Sequence, residues 1–330
     1  MISIIIPVYN TADLLDRCLQ SVIDQDFKDW ECLLIDDGST DGSSLICDKW
    51  ALRDSHFKVV HQANKGVSCS RNVGIELSKG EWLLFLDSDD YCMDIPVPDV
   101  CLDADLLLGS YYFCDKVVRP SRLPDSEIDN YALSYLQKDV LCRMGSYLVR
   151  RSLIEDHSIR FIDGCRYGED MEFNLKLFLY SKAVKFSDNF FSCYQQSQSS
   201  AMRRLTTDKF DVFYSRLRLI EEAGKNNNKE ARAYLEEHSL IEAVIEPAKA
   251  LLRGGMKVCE LSSCIKGDDH IVQVLKTQSS PKAIHGKYKI PAWLLLHIPV
   301  AYKLLLIFQD AKYNVRARLG RIKRKMAWKD

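Results

Sequence analysis

The sequence has no Cys-x-x-Cys pair, no cysteine–histidine cluster at zinc spacing and no G-x-x-x-x-G-K-S/T phosphate loop. The first two absences leave twelve cysteines scattered singly through apolar surroundings, as at Cys18, Cys32 and Cys47. They predict reduced, buried thiols, not a disulfide framework or a zinc site. The third absence argues against a nucleotidyltransferase built on such a loop. Net charge is nearly absent too: 45 Lys and Arg against 46 Asp and Glu give −1. No overall field draws nucleic acid, and no basic motif with interleaved aromatics supports a nucleic-acid partner. The run Ile2-Ser3-Ile4-Ile5-Ile6 is too short for a signal core and has no basic n-region, which predicts a cytoplasmic site of action.

What is present is an ordinary globular composition, 47% hydrophobic and 28% charged. Short β-branched or apolar runs alternate with amphipathic stretches. Strands are expected at Ile2–Ile6, Cys32–Ile35, Phe57–Val60 and Trp82–Leu86. Helices are expected after Asn10 or Thr11, around Ile46 to Ala51, and over Val67–Leu77. This alternation predicts an α/β fold with a mostly parallel sheet flanked by helices. Beyond Asp90 the pattern loosens, with strands expected at Asp105–Tyr112 and Ser146–Val149 and helices at Tyr131–Cys142 and Glu169–Tyr180. From about Thr206 it is helical throughout, so residues 1–203 are expected to form the first domain and 204–330 a helical C-terminal region.

The unusual residues sit at strand ends. Pro7-Val8-Tyr9-Asn10, Asp36-Asp37-Gly38-Ser39 and Asp87-Ser88-Asp89-Asp90 each follow a strongly apolar run. In an open parallel sheet, ligands bind outside the carboxyl ends of the strands. Taken alone, Asp36-Asp37-Gly38-Ser39 also reads as a solvated turn, and a lone D-x-D is weaker still because acidic pairs on loops are common. Together the three segments deliver at least five carboxylates to one rim, a charge for which a divalent cation is a natural partner. Between them, Gly66 permits a tight turn at a helix start whose free N–H groups suit an anion. Lys65 and Arg71 could reach a diphosphate there, although an ordinary helix N-terminus with surface charges has the same composition.

In order and spacing these segments resemble the family 2 glycosyltransferases, an inverting group with the GT-A fold. The matching text is Ser3-Ile-Ile-Ile-Pro-Val-Tyr-Asn10, Leu34-Ile-Asp-Asp-Gly-Ser-Thr-Asp41, Asn64-Lys-Gly66 through Arg71-Asn72, Gly80-Glu-Trp82, Phe85-Leu-Asp-Ser-Asp-Asp-Tyr91 and Tyr167-Gly168-Glu169-Asp170. The resemblance covers about residues 1–200. It implies that Pro7, Val8 and Tyr9 pack the nucleotide base and that Asp37 reads it with support from Asp36. It also implies that Asn10, Asn64, Lys65, Gly66, Arg71, Asp87 and Ser88 belong to the donor site. Asp87 and Asp89 match the D-x-D that handles the ribose and the metal, Mg²⁺ or Mn²⁺, with Asp89 the direct ligand. Asp170 matches the general base and Glu169 an acceptor contact or orienter, though acidic residues also favour the first turn of any helix. The expected function is transfer from a nucleotide-sugar donor, a UDP-sugar, to a saccharide or lipid-linked saccharide in surface polysaccharide synthesis. A nucleotide-sugar-binding partner subunit without catalysis is the alternative. One departure stands out: Cys92-Met-Asp-Ile-Pro-Val-Pro98 replaces the longer helix more usual in the family.

Near the C-terminus, Trp293 to Phe308 is strongly apolar but shorter than the ~20 residues of a membrane span, and His297, Pro299 and Lys303 interrupt it. Lys312, Arg316, Arg318, Arg321, Lys323, Arg324 and Lys325 follow. This fits a peripheral helix on an anionic membrane, and equally a packed helix with a solvated basic tail.

Overall fold

The structure, a computed structural model, describes residues 1–26, 28–96, 103–195, 206–280 and 286–310. Packing divides the chain into two units, Met1–Arg203 with Tyr214–Leu235, and Arg204–Phe213 with Glu236–Asp330. The expected division had one cut at 203. The segment Tyr214–Leu235 groups with the first unit, where Arg218 pairs with Glu172 and the Tyr180 hydroxyl donates to Glu222.

The first unit is built on one sheet. Its strands are β1 (Ile2–Val8), β2 (Trp30–Asp36), β3 (Phe57–His61), β4 (Trp82–Phe85), β5 (Tyr91–Cys92), β6 (Leu106–Phe113), β7 (Lys116–Val118), β8 (Tyr147–Arg150) and β9 (Val184–Tyr194). The order is β3-β2-β1-β4-β8-β6-β9-β5, with β7 hairpinned onto β6. The first four are parallel; β8 then enters antiparallel to both β4 and β6. Between them run α1 (Ala12–Ile23), α2 (Ser43–Arg53), α3 (Val67–Leu77), α4 (Tyr131–Gln137), α5 (Arg151–Asp156) and α6 (Glu169–Tyr180).

Why the central strands are apolar on both sides is visible in the packing. Ile5, Leu33, Ile35, Leu83 and Phe85 enter one core with Ile75 of α3 and Phe173 of α6. Ile4, Ile6, Leu34 and Leu84 enter the other with Leu15 and Leu19 of α1. A period-two sequence with both phases hydrophobic is what a doubly covered strand requires.

Four details differ from the sequence expectation. β1 runs past Pro7 to Val8. The Ile5 carbonyl accepts from Leu86, so Pro7 faces the same side, and there β4 has already ended; its missing N–H breaks no ladder bond. α4 stops at Gln137 rather than Cys142, because Lys138 takes a left-handed φ of 67°. The eleven-residue β9 carries no clean alternation in Val184–Tyr194 and is held by pairing to β6 with register shifts. Finally, Cys114 and Cys259 are exposed, unlike the buried Cys18, Cys32 and Cys47. Val97, Pro98 and the basic residues from Lys312 onward lie outside the described residues.

The second unit is helical: α9 (Leu240–Arg253), α10 (Val258–Lys266), α11 (Asp269–Ser279), α12 (Gly286–His297) and α13 (299–310) pack through Leu251, Leu261, Leu275, Leu295 and Leu306. Helices α7 (Asp211–Lys225) and α8 (Lys229–Tyr234) precede them in the chain. Among the described residues no helix is long and apolar enough to cross a membrane.

One glycine controls how α3 meets the sheet. A Cβ at Gly74 would lie 2.2 Å from Ile5 Cγ2, so α3 seats on β1 only because that position has no side chain. Gly74→Ala is therefore expected to cost about 1–3 kcal/mol by overpacking. Denaturant unfolding checks this, and an unchanged midpoint would mean that α3 does not rest on β1 in this way.

Candidate active site

The loops at the carboxyl ends of β1, β2, β3 and β4 are stitched into one rim. Asp37 N donates to Val8 O at 2.9 Å, Asn10 N to Ser39 Oγ at 3.2 Å and Thr40 N to Asn10 Oδ1 at 2.8 Å. Thr11 Oγ1 donates to Ser88 Oγ at 3.0 Å, joining the β1 loop to the loop after β4. Arg17 of α1 holds that loop from outside, donating to the Asp89 carbonyl at 3.0 Å. Asn10, with φ 52°, ties loops together and does not cap α1; the Ala12 N–H is met instead by Asp41 Oδ2 at 2.9 Å. Tyr9, Asn10, Asn64 and Lys65 are exposed on the rim, while Pro7 and Val8 are buried beneath it.

Asp36 and Asp37 are both buried, and each has its partners within the protein. Asp36 accepts from Ser39 N at 3.0 Å and Ser44 Oγ at 2.6 Å and meets His61 Nδ1 at 2.7 Å. Burial pushes its carboxyl up, but the hydrogen bonds from Ser39, Ser44 and His61 outweigh burial and hold it below the usual range. His61 also meets Asp48 through Nε2 at 3.0 Å, and these two carboxylates raise its pKa. Asp37 accepts from Gln62 Nε2 at 2.7 Å, Lys65 N at 2.8 Å and Gly66 N at 2.8 Å. The N–H groups of Lys65 and Gly66, in the loop just before α3, thus already donate to a carboxylate.

Arg71, expected to reach a diphosphate, is turned inward. It is 4% exposed, and its Nη2 donates to Asp87 Oδ1 at 2.7 Å while Nη1 lies 3.8 Å from Glu169 Oε1. Its guanidinium sits over the Phe161 ring, 5.1 Å from the centroid. Among the described residues its Nε and Nη1 have no hydrogen-bond acceptor. Arg71 therefore joins the Asp87-Ser88-Asp89 segment to the Glu169-Asp170 pair, 80 residues apart in sequence.

A second guanidinium was not singled out from the sequence. Arg143, between α4 and β8, pairs with Asp90 at 3.0 Å, approaches Asp87 Oδ2 at 3.9 Å and covers the Tyr194 ring at 4.2 Å. Nothing local marks it among the chain's other basic residues; the nearest signal is the Gly145-Ser146 turn that aims it. The two arginines are counter-charges for Asp87 and Asp90. Burial would raise Asp87, yet Arg71 and Arg143 hold its carboxyl low. Burial pushes Asp90 up to about 7 despite Arg143.

Glu169 and Asp170 begin α6 but face different surroundings. Asp170 is exposed, with Oδ1 accepting from Met171 N at 2.7 Å. Glu169 is raised to about 7, first by burial and then by the charge of Asp170. Among the described residues no three His, Cys, Asp or Glu side chains converge as a metal cage. Asp87 and Asp89 carry the hard oxygens that could hold Mg²⁺ or Mn²⁺ together with waters and phosphate oxygens, and of these Asp87 Oδ1 already accepts from Arg71 at 2.7 Å.

The model of glycosyl transferase family 2 matches residues 3–126. Residues 3–126 are a family 2 glycosyltransferase domain. The match holds the rim from Pro7 to Asp90 and ends before Arg143, Glu169 and Asp170. Among relatives, the chain is 29% identical to the uncharacterized glycosyltransferase EpsJ of Bacillus subtilis over 61% of this chain and 62% of that one. It is 27% identical to the glycosyltransferase GlyG of Streptococcus pneumoniae over 66% of this chain and 76% of that one. It thus spans less than two thirds of EpsJ. The fold is that of S. aureus TarS 1–349 in complex with UDP-GlcNAc, with TM-score 0.63 and 19% identity over 94% of this chain and 92% of that one. The family 2 domain is therefore set in a GT-A architecture.

Glu169 gives this arrangement a pH signature. Its folded pKa of about 7 exceeds the ordinary 4.5, so between those values the folded protein holds a proton that the unfolded chain has lost. That contribution to stability falls as pH rises through the window. Glu169→Gln should therefore stabilise the protein more at pH ~8 than at pH ~5 relative to the unmodified chain. Denaturant midpoints at the two values check this, and an equal difference at both would contradict the burial of Glu169.

Proposed function

We propose that this chain is an inverting glycosyltransferase of the cytoplasm that moves a sugar from a nucleotide-sugar donor to a saccharide hydroxyl. The observation that carries the reading is the convergence on Arg71 of Asp87, from the strand-end motif, and Glu169, from the acidic pair. A donor-side motif and an acceptor-side motif in one place suit transfer between two substrates better than binding of one. This favours an enzyme over a partner subunit that only binds nucleotide sugar.

In this reading Tyr9 and the Asp36-Asp37 turn receive the base, and Asn10, Asn64, Lys65 and Ser88 line the donor's path. UDP is the first nucleotide to try, since TarS is known with UDP-GlcNAc. Asp89, with Asp87, would hold Mg²⁺ or Mn²⁺, which neutralises the charge growing on the departing diphosphate. Asp170, exposed at the start of α6, takes the proton of the acceptor hydroxyl as it attacks the anomeric carbon. Glu169, partly protonated near neutrality and beside Arg71, orients Asp170 and the acceptor. One base and in-line attack invert the anomeric centre, without the second carboxylate that a covalent intermediate requires. A lipid-linked saccharide of a surface polysaccharide is the acceptor class, in keeping with relatives such as GlyG that are themselves glycosyltransferases.

Two variants test the assignment. Asp89→Ala should abolish Mn²⁺-dependent donor binding, measured by calorimetry; normal affinity with Mn²⁺ removes Asp89 from the metal site. Asp170→Asn should bind donor normally while transfer drops about 100-fold or more, the usual contribution of a general base. Retained turnover would assign the base elsewhere. A screen of nucleotide sugars for slow hydrolysis identifies the donor, and no hydrolysis of any would favour the binding subunit.

A further inference from the structure

The two last described helices leave an apolar stripe uncovered. On α12, Ile290 and Trp293 are exposed, three residues apart. On α13, Val300, Leu304, Ile307 and Phe308 are between 57% and 68% exposed, at spacings of four, three and one that place them along one side of a helix. The opposite side of α13 is fixed within its unit: Tyr302 and Leu306 are buried there, and Asp310 pairs with Arg253, Nε to Oδ2 at 3.0 Å. The stripe is thus a second apolar face on a helix that is already packed. Aligned residues of this size are more than the single exposed leucines normal on a soluble surface.

Charge identifies what would cover it. Residues 311–330 carry eight Lys and Arg against one Asp, so with a chain total of −1 the first 310 residues carry −8. The strongest local concentration of positive charge in the chain therefore follows directly on the exposed apolar stripe. We propose that this stripe and the basic segment after it dock the protein, without spanning, on an anionic lipid surface. The apolar side chains enter the boundary between headgroups and acyl chains while the basic residues meet lipid phosphates. Neither signal suffices alone, and their adjacency makes a two-part anchor. The proposal stands apart from the catalytic reading, since none of these residues belongs to the rim around Arg71.

The test is flotation of the full chain with vesicles of phosphatidylcholine alone or of phosphatidylcholine with phosphatidylglycerol, with donor hydrolysis followed in parallel. The unmodified protein should float only with the anionic vesicles and be released by raised salt. Arg316→Gln with Arg321→Gln should weaken partitioning roughly 30-fold, from the attraction of two basic residues to such a surface. Leu304→Asp with Ile307→Asp should abolish flotation while leaving hydrolysis intact. Absence of flotation with anionic vesicles overturns the proposal, as does equal flotation on neutral ones. A dimer lost in the Leu304→Asp, Ile307→Asp variant without vesicle binding would assign the stripe to self-association and also overturn it. Lost hydrolysis with retained flotation would instead count against the catalytic reading alone.

Discussion

A guanidinium almost without access to water is the charge around which this rim is arranged. Arg71 is carried inward on α3, whose seat on β1 exists because Gly74 has no side chain to collide with Ile5. Burying such a charge costs several kcal/mol unless carboxylates compensate it. Asp87 does so directly, and Glu169 from 3.8 Å. Because the compensation comes from two segments distant in sequence, the charge that is costly to bury also fixes their separation. Its Nε and Nη1 have no hydrogen-bond acceptor among the described residues, so the compensation there is incomplete. A site arranged this way holds its polar groups in place before a substrate arrives, which is the condition for stabilising charge that develops during reaction.

The acidic rim is therefore not a cluster of bare carboxylates. Asp36 is held by hydroxyls and His61, Asp37 by the backbone of the loop before α3, Asp87 by Arg71, and Asp90 by Arg143. Electrostatic repulsion alone does not call for a cation here. The case for Mg²⁺ or Mn²⁺ rests instead on the diphosphate that a nucleotide sugar would bring to Asp89. The raised pKa values of Asp90 and Glu169 come first from burial, with Asp87 adding to it at Asp90 and Asp170 at Glu169.

Much of the fold was legible because both of its signals are local. Buried strands such as Ile2–Val8 and Trp30–Asp36 are apolar in both phases, and α3 and α6 begin and end where their patterns do. The gathering of strand-end motifs followed from topology once the strands were placed. What escaped depends on partners far along the chain. β9 is a strand through its pairing with β6, and α4 ends at a backbone turn at Lys138 that composition does not announce. Arg143 acquires its role only when β8 enters the sheet beside β4 and brings the preceding turn to Asp90. The burial of Arg71 was hidden for the opposite reason: at a helix start, an arginine facing solvent and one turned inward to a carboxylate have the same sequence.

The most direct measurement is a double-mutant cycle between Arg71→Met and Asp87→Asn, read as unfolding free energy. Asp87→Asn leaves the buried Arg71 charge without its main partner and is predicted to cost about 3–5 kcal/mol; Arg71→Met leaves an Asp87 that is 28% exposed and should cost less. Both together should cost well under the sum, with a coupling of about 1–3 kcal/mol. Effects that simply add, within about 0.5 kcal/mol, would mean that the two groups do not compensate each other and that the rim is held together by something else.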